Sequence, residues 1–265
     1  MTEPTETPID RAHAAMSAAP EDDTARLRFY ERLADNELFV LLTAEAAGDT
    51  LSPEVFELTD ASYVLAFDTE DRLSAFTGRS APYAALSGRA IAEMLTGQGF
   101  GLGFNLEVAP SSMLLPPDAV DWLAATLGHA PEEVEHRIAA FHSPGALPEA
   151  LISGLDSKLA MAGALADCAY IVGTEDEAGT RGHLLAFIDA KPGAEAALAK
   201  AAGEALTFSG IDSGSMDVGF FAASEPAAAA LARHGLRIDL PKPEAPERPV
   251  RAAPGSDPAR PPKLR

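Results

Sequence analysis

The chain has 265 residues, and its 40 acidic against 20 basic side chains give a formal net charge of −20. That charge opposes nucleic-acid phosphate and anionic lipid, both of which are held by Lys and Arg. A single cysteine, Cys168, excludes a disulfide framework and Cys-based zinc sites. Ala fills 53 positions, and the remaining larger apolar residues suffice for one large or two small domains.

Thr7, Pro8 and Asp10 open the first predicted helix. Thr7 can cap it, Pro8 suits its first position and Asp10 favours the positive end of its dipole. It stops before Pro20; a second helix follows, with Glu21, Asp22 and Asp23 at its start and Leu27, Tyr30 and Leu33 on its inner face. Residues 37–43, 55–58 and 62–67 read as strands, rich in Val, Leu and aromatics. Asp68-Thr69-Glu70-Asp71 reads as a polar turn and 73–77 as a returning strand. Ser80 and Pro82 open a predicted helix carrying Tyr83, Leu86, Ala90, Ile91, Met94 and Leu95. Residues 99–108 read as extended, and Pro116-Pro117-Asp118 starts a helix with Val120, Leu123 and Leu127 inward.

A break at 127–131 precedes a second half. Residues 133–141 fit either a helix or a lead-in strand. Leu147-Pro148 begins a helix striped by Leu151, Ile152, Leu155 and Leu159, and 168–173 and 183–188 read as paired strands. An Ala-rich helix over 192–206, a strand over 217–222, a helix over 226–234 and an edge strand over 236–240 complete it. The expectation is α+β: two small domains with mixed or antiparallel sheets and flanking helices, over 24–127 and 131–240, after a helical lead-in at 1–23. Residues 241–265 hold eight Pro and carry +3, against −23 for the rest. With almost nothing apolar to bury, that tail is expected to be disordered and polyproline-like, its PxxP spacings open to an aromatic groove.

The acidic start lacks the positive charge of a secretory signal, and no apolar run approaches the roughly 20 residues of a membrane span. A cytoplasmic protein is expected. Arg outnumbers Lys 15 to 5, which with the Ala content fits a GC-rich bacterial genome.

No constellation of side chains carries a known chemistry. The stretch Gly97-Gln98-Gly99-Phe100-Gly101-Leu102-Gly103 misses the dinucleotide spacing, which needs Gly at positions one, three and six. It fits a strand with Gly on one face, bare enough for a helix or another backbone to approach closely, or for a ligand to lie on it. Glu133-Val134-Glu135-His136 is the only Glu-x-x-His, and a di-iron site needs two. The loop 209–217 lacks the Gly-x-Ser-x-Gly elbow of a nucleophile and reads as a turn, with anion binding by its amides as the alternative. Cys168, beside Ala169-Tyr170-Ile171-Val172, reads as an inert buried thiol. No catalytic residue, metal or cofactor is expected; the candidate ligand or partner surface is Gly99, Gly101, Gly103 and Asn105 together with Asp212, Ser213 and Ser215.

Several segments together resemble the SseB family of bacterial proteins, named for enhanced serine sensitivity. The N-terminal resemblance spans roughly 24–127 through Leu38-Phe39-Val40-Leu41-Leu42, Tyr63-Val64-Leu65-Ala66-Phe67-Asp68, the "aFT" strand Leu73-Ser74-Ala75-Phe76-Thr77 and Gly103-Phe104-Asn105, after which Leu106 replaces the usual Pro. Leu147-Pro148-Glu149-Ala150-Leu151, Cys168-Ala169-Tyr170-Ile171-Val172 and Leu184-Leu185-Ala186-Phe187-Ile188 resemble the family's C-terminal domain over about 131–240. The resemblance implies a tie to amino-acid homeostasis and brings no active site.

The first expectation is therefore a non-catalytic binding protein whose partner is another protein, selected through a basic surface by the acidic body. A sensor of an amino acid or anion is the second, and an unrecognised hydrolase the remote third.

Overall fold

The computed structural model describes residues 6–46, 48, 50–59, 61–131, 137–211 and 216–241. Thr7 opens α1 (Pro8–Ala18) through a reciprocal cap: its hydroxyl accepts the Asp10 N–H, and the Asp10 carboxylate accepts the Thr7 N–H. Asp22 caps α2 (Asp23–Asp35) by accepting the Thr24 N–H at 2.9 Å. Both helices lie against a six-stranded sheet of β1 (Glu37–Leu41), β2 (Val55–Glu57), β3 (Ser62–Phe67), β4 (Tyr83–Ser87), β5 (Phe100–Phe104) and β6 (Met113–Leu115). The order is β4-β1-β3-β5-β6, with β1 and β2 paired in tandem to β3. Only the β3–β5 pair is parallel.

Two local expectations are corrected here. Residues 73–77 do not return as a strand; they are the body of α3 (Glu70–Thr77). Thr69 accepts the Arg72 N–H at 3.2 Å, Glu70 and Asp71 fill the first turn, and Gly78 closes the helix at φ 63°. The apparent polar turn is thus a helix start. Tyr83 and Leu86 are not helical either: they belong to β4, and α4 (Gly88–Leu95) begins later, capped by the Ser87 hydroxyl. Gly88 sets that point, because a Cβ there would stand 1.9 Å from the Leu33 carbonyl oxygen of α2. Strand β6 was not foreseen; α5 (Pro117–Gly128) was.

In the second half, the described part of the ambiguous segment is a strand, β7 (Ile138–His142), followed by α6 (Glu149–Met161), β8 (Cys168–Asp176), β9 (Arg181–Ile188), α7 (Glu195–Phe208), β10 (Asp217–Phe221), α8 (Pro226–His234) and β11 (Leu236–Asp239). Its sheet runs β10-β9-β8-β11, with β7 also on β8; only β9–β10 is parallel. The architecture is α+β with two mixed sheets. The segments 132–136 and 212–215 and the Pro-rich tail from 242 lie outside the described residues.

Each sheet has a thickly covered and a thinly covered face. On the first, Val40, Val64, Ala66, Leu102 and Phe104 meet α1, α2, α4 and α5. Ile9 is 1% exposed, so α1 is built into this core. Among the described residues the other face has only α3, whose Leu73 joins Leu41, Leu65 and Phe67. On the second sheet α6 and α7 cover Ala169, Ile171, Leu185 and Phe187, while α8 is the one helix among the described residues that covers Tyr170, Val172, Leu184 and Ala186. The thick layers of the two sheets meet, α2 against α7, and Phe208 of α7 is buried in the first core.

Candidate functional site

The glycine strand is closed by its neighbours. Gly101 and Gly103 stand opposite Tyr63 and Leu65 in the parallel β3–β5 pair. A Cβ on Gly101 would lie 2.6 Å from the Tyr63 ring and 2.5 Å from the Leu115 carbonyl; one on Gly103 would lie 2.8 Å from Leu65 Cδ2. The bare face therefore receives a neighbouring backbone, the Leu115 carbonyl, and side chains of the adjoining strand; it is this backbone approach, and not that of a helix, that the glycines permit. Gly99 is exposed, in a turn at φ 75°. Asp212, Ser213 and Ser215 lie outside the described residues.

Asn105 belongs to a buried polar cluster. It follows β5 directly, at φ 49°, a conformation Asn tolerates better than most residues. Its Oδ1 accepts the Asp68 N–H at 3.1 Å, and its Nδ2 donates to Ser111 Oγ at 2.9 Å. Ser111 donates in turn to Asp10 at 2.6 Å, so both of its roles are used. Arg72, in the first turn of α3, bonds Asp10 through both terminal nitrogens and Asp68 at 2.8 Å. Thr7 donates to Asp68 at 2.6 Å. Burial drives the Asp10 carboxyl up, but the hydrogen bonds from Arg72, Ser111 and the Thr7 N–H outweigh it and bring it down to about 2.

A second buried cluster joins the two halves. Asp35 of α2 accepts from Arg89 of α4 at 3.0 Å and from Lys158 of α6 at 2.6 Å. Glu204 of α7 accepts from the same two cations, at 2.6 Å from Arg89 and 3.0 Å from Lys158. Four helices thus contribute one charge each to a closed square, and each half supplies one acid and one base. Lys158 also lies 5.5 Å from the Phe208 ring centroid. Burial raises Glu204, yet the Arg89 hydrogen bonds and the Lys158 charge hold it below the ordinary range. Beside the square, Arg28 reaches Glu31 at 3.3 Å and the Ala150 carbonyl at 2.6 Å.

Two surfaces remain open. On the thin face of the first sheet, Phe56, Tyr83 and Leu114 stay more than a third exposed. Register places them on that face: Phe56 opposite Tyr63, Tyr83 opposite Leu41, Leu114 opposite Gly103. Glu37 shares it, and a hydrogen bond to Glu70 raises the Tyr83 hydroxyl. At the open end of the second sheet, His142 and His183 flank Gly173 in one row. They border a hollow of 410 Å³ with Ser143, Pro144 and Arg181, and His183 Nε2 is 3.1 Å from the Pro144 carbonyl. Among the described residues, no group of three or more His, Cys, Asp and Glu is arranged to hold a metal ion, and no helix is long and apolar enough to cross a membrane.

Sequence reasoning reached Asn105 and missed every charged member of both clusters. One signal was available: Lys158 lies on the Leu151–Leu155–Leu159 stripe of α6, in a chain with five lysines. A charge on an apolar stripe announces a buried partner.

No curated protein and no solved structure matches the chain. A family model does: residues 10–122, from α1 into α5, are similar to the SseB protein N-terminal domain.

Proposed function

We propose that the chain is a non-catalytic protein-binding module of the bacterial cytoplasm that works through the thin face of its first sheet. One observation carries this: Phe56, Tyr83 and Leu114 stand open on a face that, among the described residues, only α3 covers, beside the carboxylates of Glu37 and Glu70. An apolar centre with an acidic rim selects a partner with apolar side chains among basic ones. Both buried charge clusters are consumed in holding the fold. On the family's name alone the proposal extends to a place in serine or amino-acid homeostasis, and the resemblance of 131–240 to the family's C-terminal domain carries it to the second half. The test is recovery of partners from the native cytoplasm with the full chain and with Phe56→Asp and Leu114→Asp, at low and high salt. Partners that are lost with both variants and weakened by salt are expected; identical recovery by all three chains overturns the reading.

A second reading, a sensor of a small carboxylate or other anion, is favoured by the His142–Gly173–His183 row and the hollow beside it. Serine, acetate and phosphate are the probes. Saturation at about 100 Kd stabilises a protein by about 2.7 kcal/mol, so an unmoved melting temperature with all three removes this reading.

A further inference from the structure

Among the described residues, one buried side-chain oxygen lacks a hydrogen-bond partner: Oε1 of Glu31, on the face of α2 that meets the second half. The side chain is 2% exposed, and its other oxygen receives only the 3.3 Å contact from Arg28. Arg28 gives its second nitrogen to the Ala150 carbonyl. The remaining nearby cations are also committed. Lys158 of α6 and Arg89 of α4 hold Asp35 and Glu204 of α7, and Arg32 of α2 donates to Ser157 of α6 at 3.2 Å. The square balances its own charge without Glu31. An ionised carboxylate with an open oxygen in such a seam is far more costly than the neutral acid.

We propose that Glu31 sits in the seam as the neutral acid and that its ionisation at rising pH loosens the contact between the two halves. The junction of α2 with α6 and α7 is then a pH-responsive clasp. Burial pushes the Glu31 carboxyl above its ordinary range; Lys158 and Arg28 pull it back, Asp35 pushes it further up, and Arg32 pulls again. The sign follows. A carboxyl higher in the folded than in the unfolded chain contributes stability that is complete below its unfolded value and lost as pH rises through its folded value.

The experiment compares the full chain with Glu31→Gln, an uncharged isostere, by urea unfolding from pH 5 to 8 at fixed ionic strength. Small-angle scattering reports the size of the folded state over the same range. The native chain is expected to lose folded population relative to the variant, by at most about tenfold in the unfolding constant per pH unit for one proton. Its radius of gyration should grow with pH while the variant's stays constant. Parallel pH profiles for the two chains overturn the neutral acid, and a stability difference without a size difference overturns the clasp. The carboxyl-carbon resonance of Glu31 in the unmutated chain gives an independent reading even if the variant does not fold. A midpoint within the ordinary carboxylate range sinks the proposal.

Discussion

The two buried charge clusters differ in what they tie together. The Asp10–Arg72–Asp68 cluster lies wholly in the first half, where a helix cap, a strand end and a turn converge, and neutral groups from Thr7, Asn105 and Ser111 complete it. The Asp35–Arg89–Lys158–Glu204 square draws on four helices from both halves and contains charged groups only. The first shapes one domain; the second fixes the relation between two. Burying charge in the second is therefore a matter of register between helical layers, because well-packed apolar groups would hold the layers at least as firmly.

Substitutions separate the two roles. Arg72→Met leaves two buried carboxylates with no cation and should cost about 3–5 kcal/mol, read as a lowered urea midpoint for the first half. Lys158→Met leaves Asp35 and Glu204 with Arg89 and should cost about 3 kcal/mol. Its sharper signature is the shape of the transition: tryptophan fluorescence from Trp122, in the first half, should cease to coincide with far-ultraviolet circular dichroism from both. Coincident curves in this variant would erase the distinction between the clusters. Acid sharpens it further. Asp10 is lowered from 3.8 to about 2, so its stabilisation is present above pH 4 and lost as pH falls towards 2. At about 1.4 kcal/mol per unit that loss is about 2 kcal/mol, to be read as the difference in acid unfolding between the native chain and Asp10→Asn. Thr7→Ala removes the α1 cap and the bond to Asp68, and should cost about 1 kcal/mol in thermal unfolding without disturbing the seam.

What the sequence made legible follows the range of the interactions. The paired strands were legible at 168–173 and 183–188, where the apolar runs lie, while the structure carries them on through polar residues to Asp176 and from Arg181; α5, α6 and α8 begin at or just after prolines. Such signals are local. Helix α3 was misread because eight residues hold too few turns for a period to show, although Thr69 and Gly78 bracket it. Tyr83 to Ser87 looked helical because Tyr83, Leu86, Ala90 and Met94 fall at helical spacing across a break set by the Ser87 cap and by the contact of Gly88 with α2. The square could not be read locally: Arg89 and Asp35 are 54 residues apart, and Lys158 and Asp35 are 123 apart. Their meeting depends on how folded layers dock.

Phe208 has a consequence for how the molecule is made. It is wholly buried in the first core, yet it follows the last helix of that half by roughly 80 residues. At the usual pace of about 5–20 residues per second, the ribosome needs on the order of 4–16 s to deliver it. Throughout that interval the nascent first half lacks one phenyl ring of its finished core. The boundary at residue 122 drawn by sequence similarity is thus shorter than the unit that matures together, and a fragment cut there would leave its core unfinished.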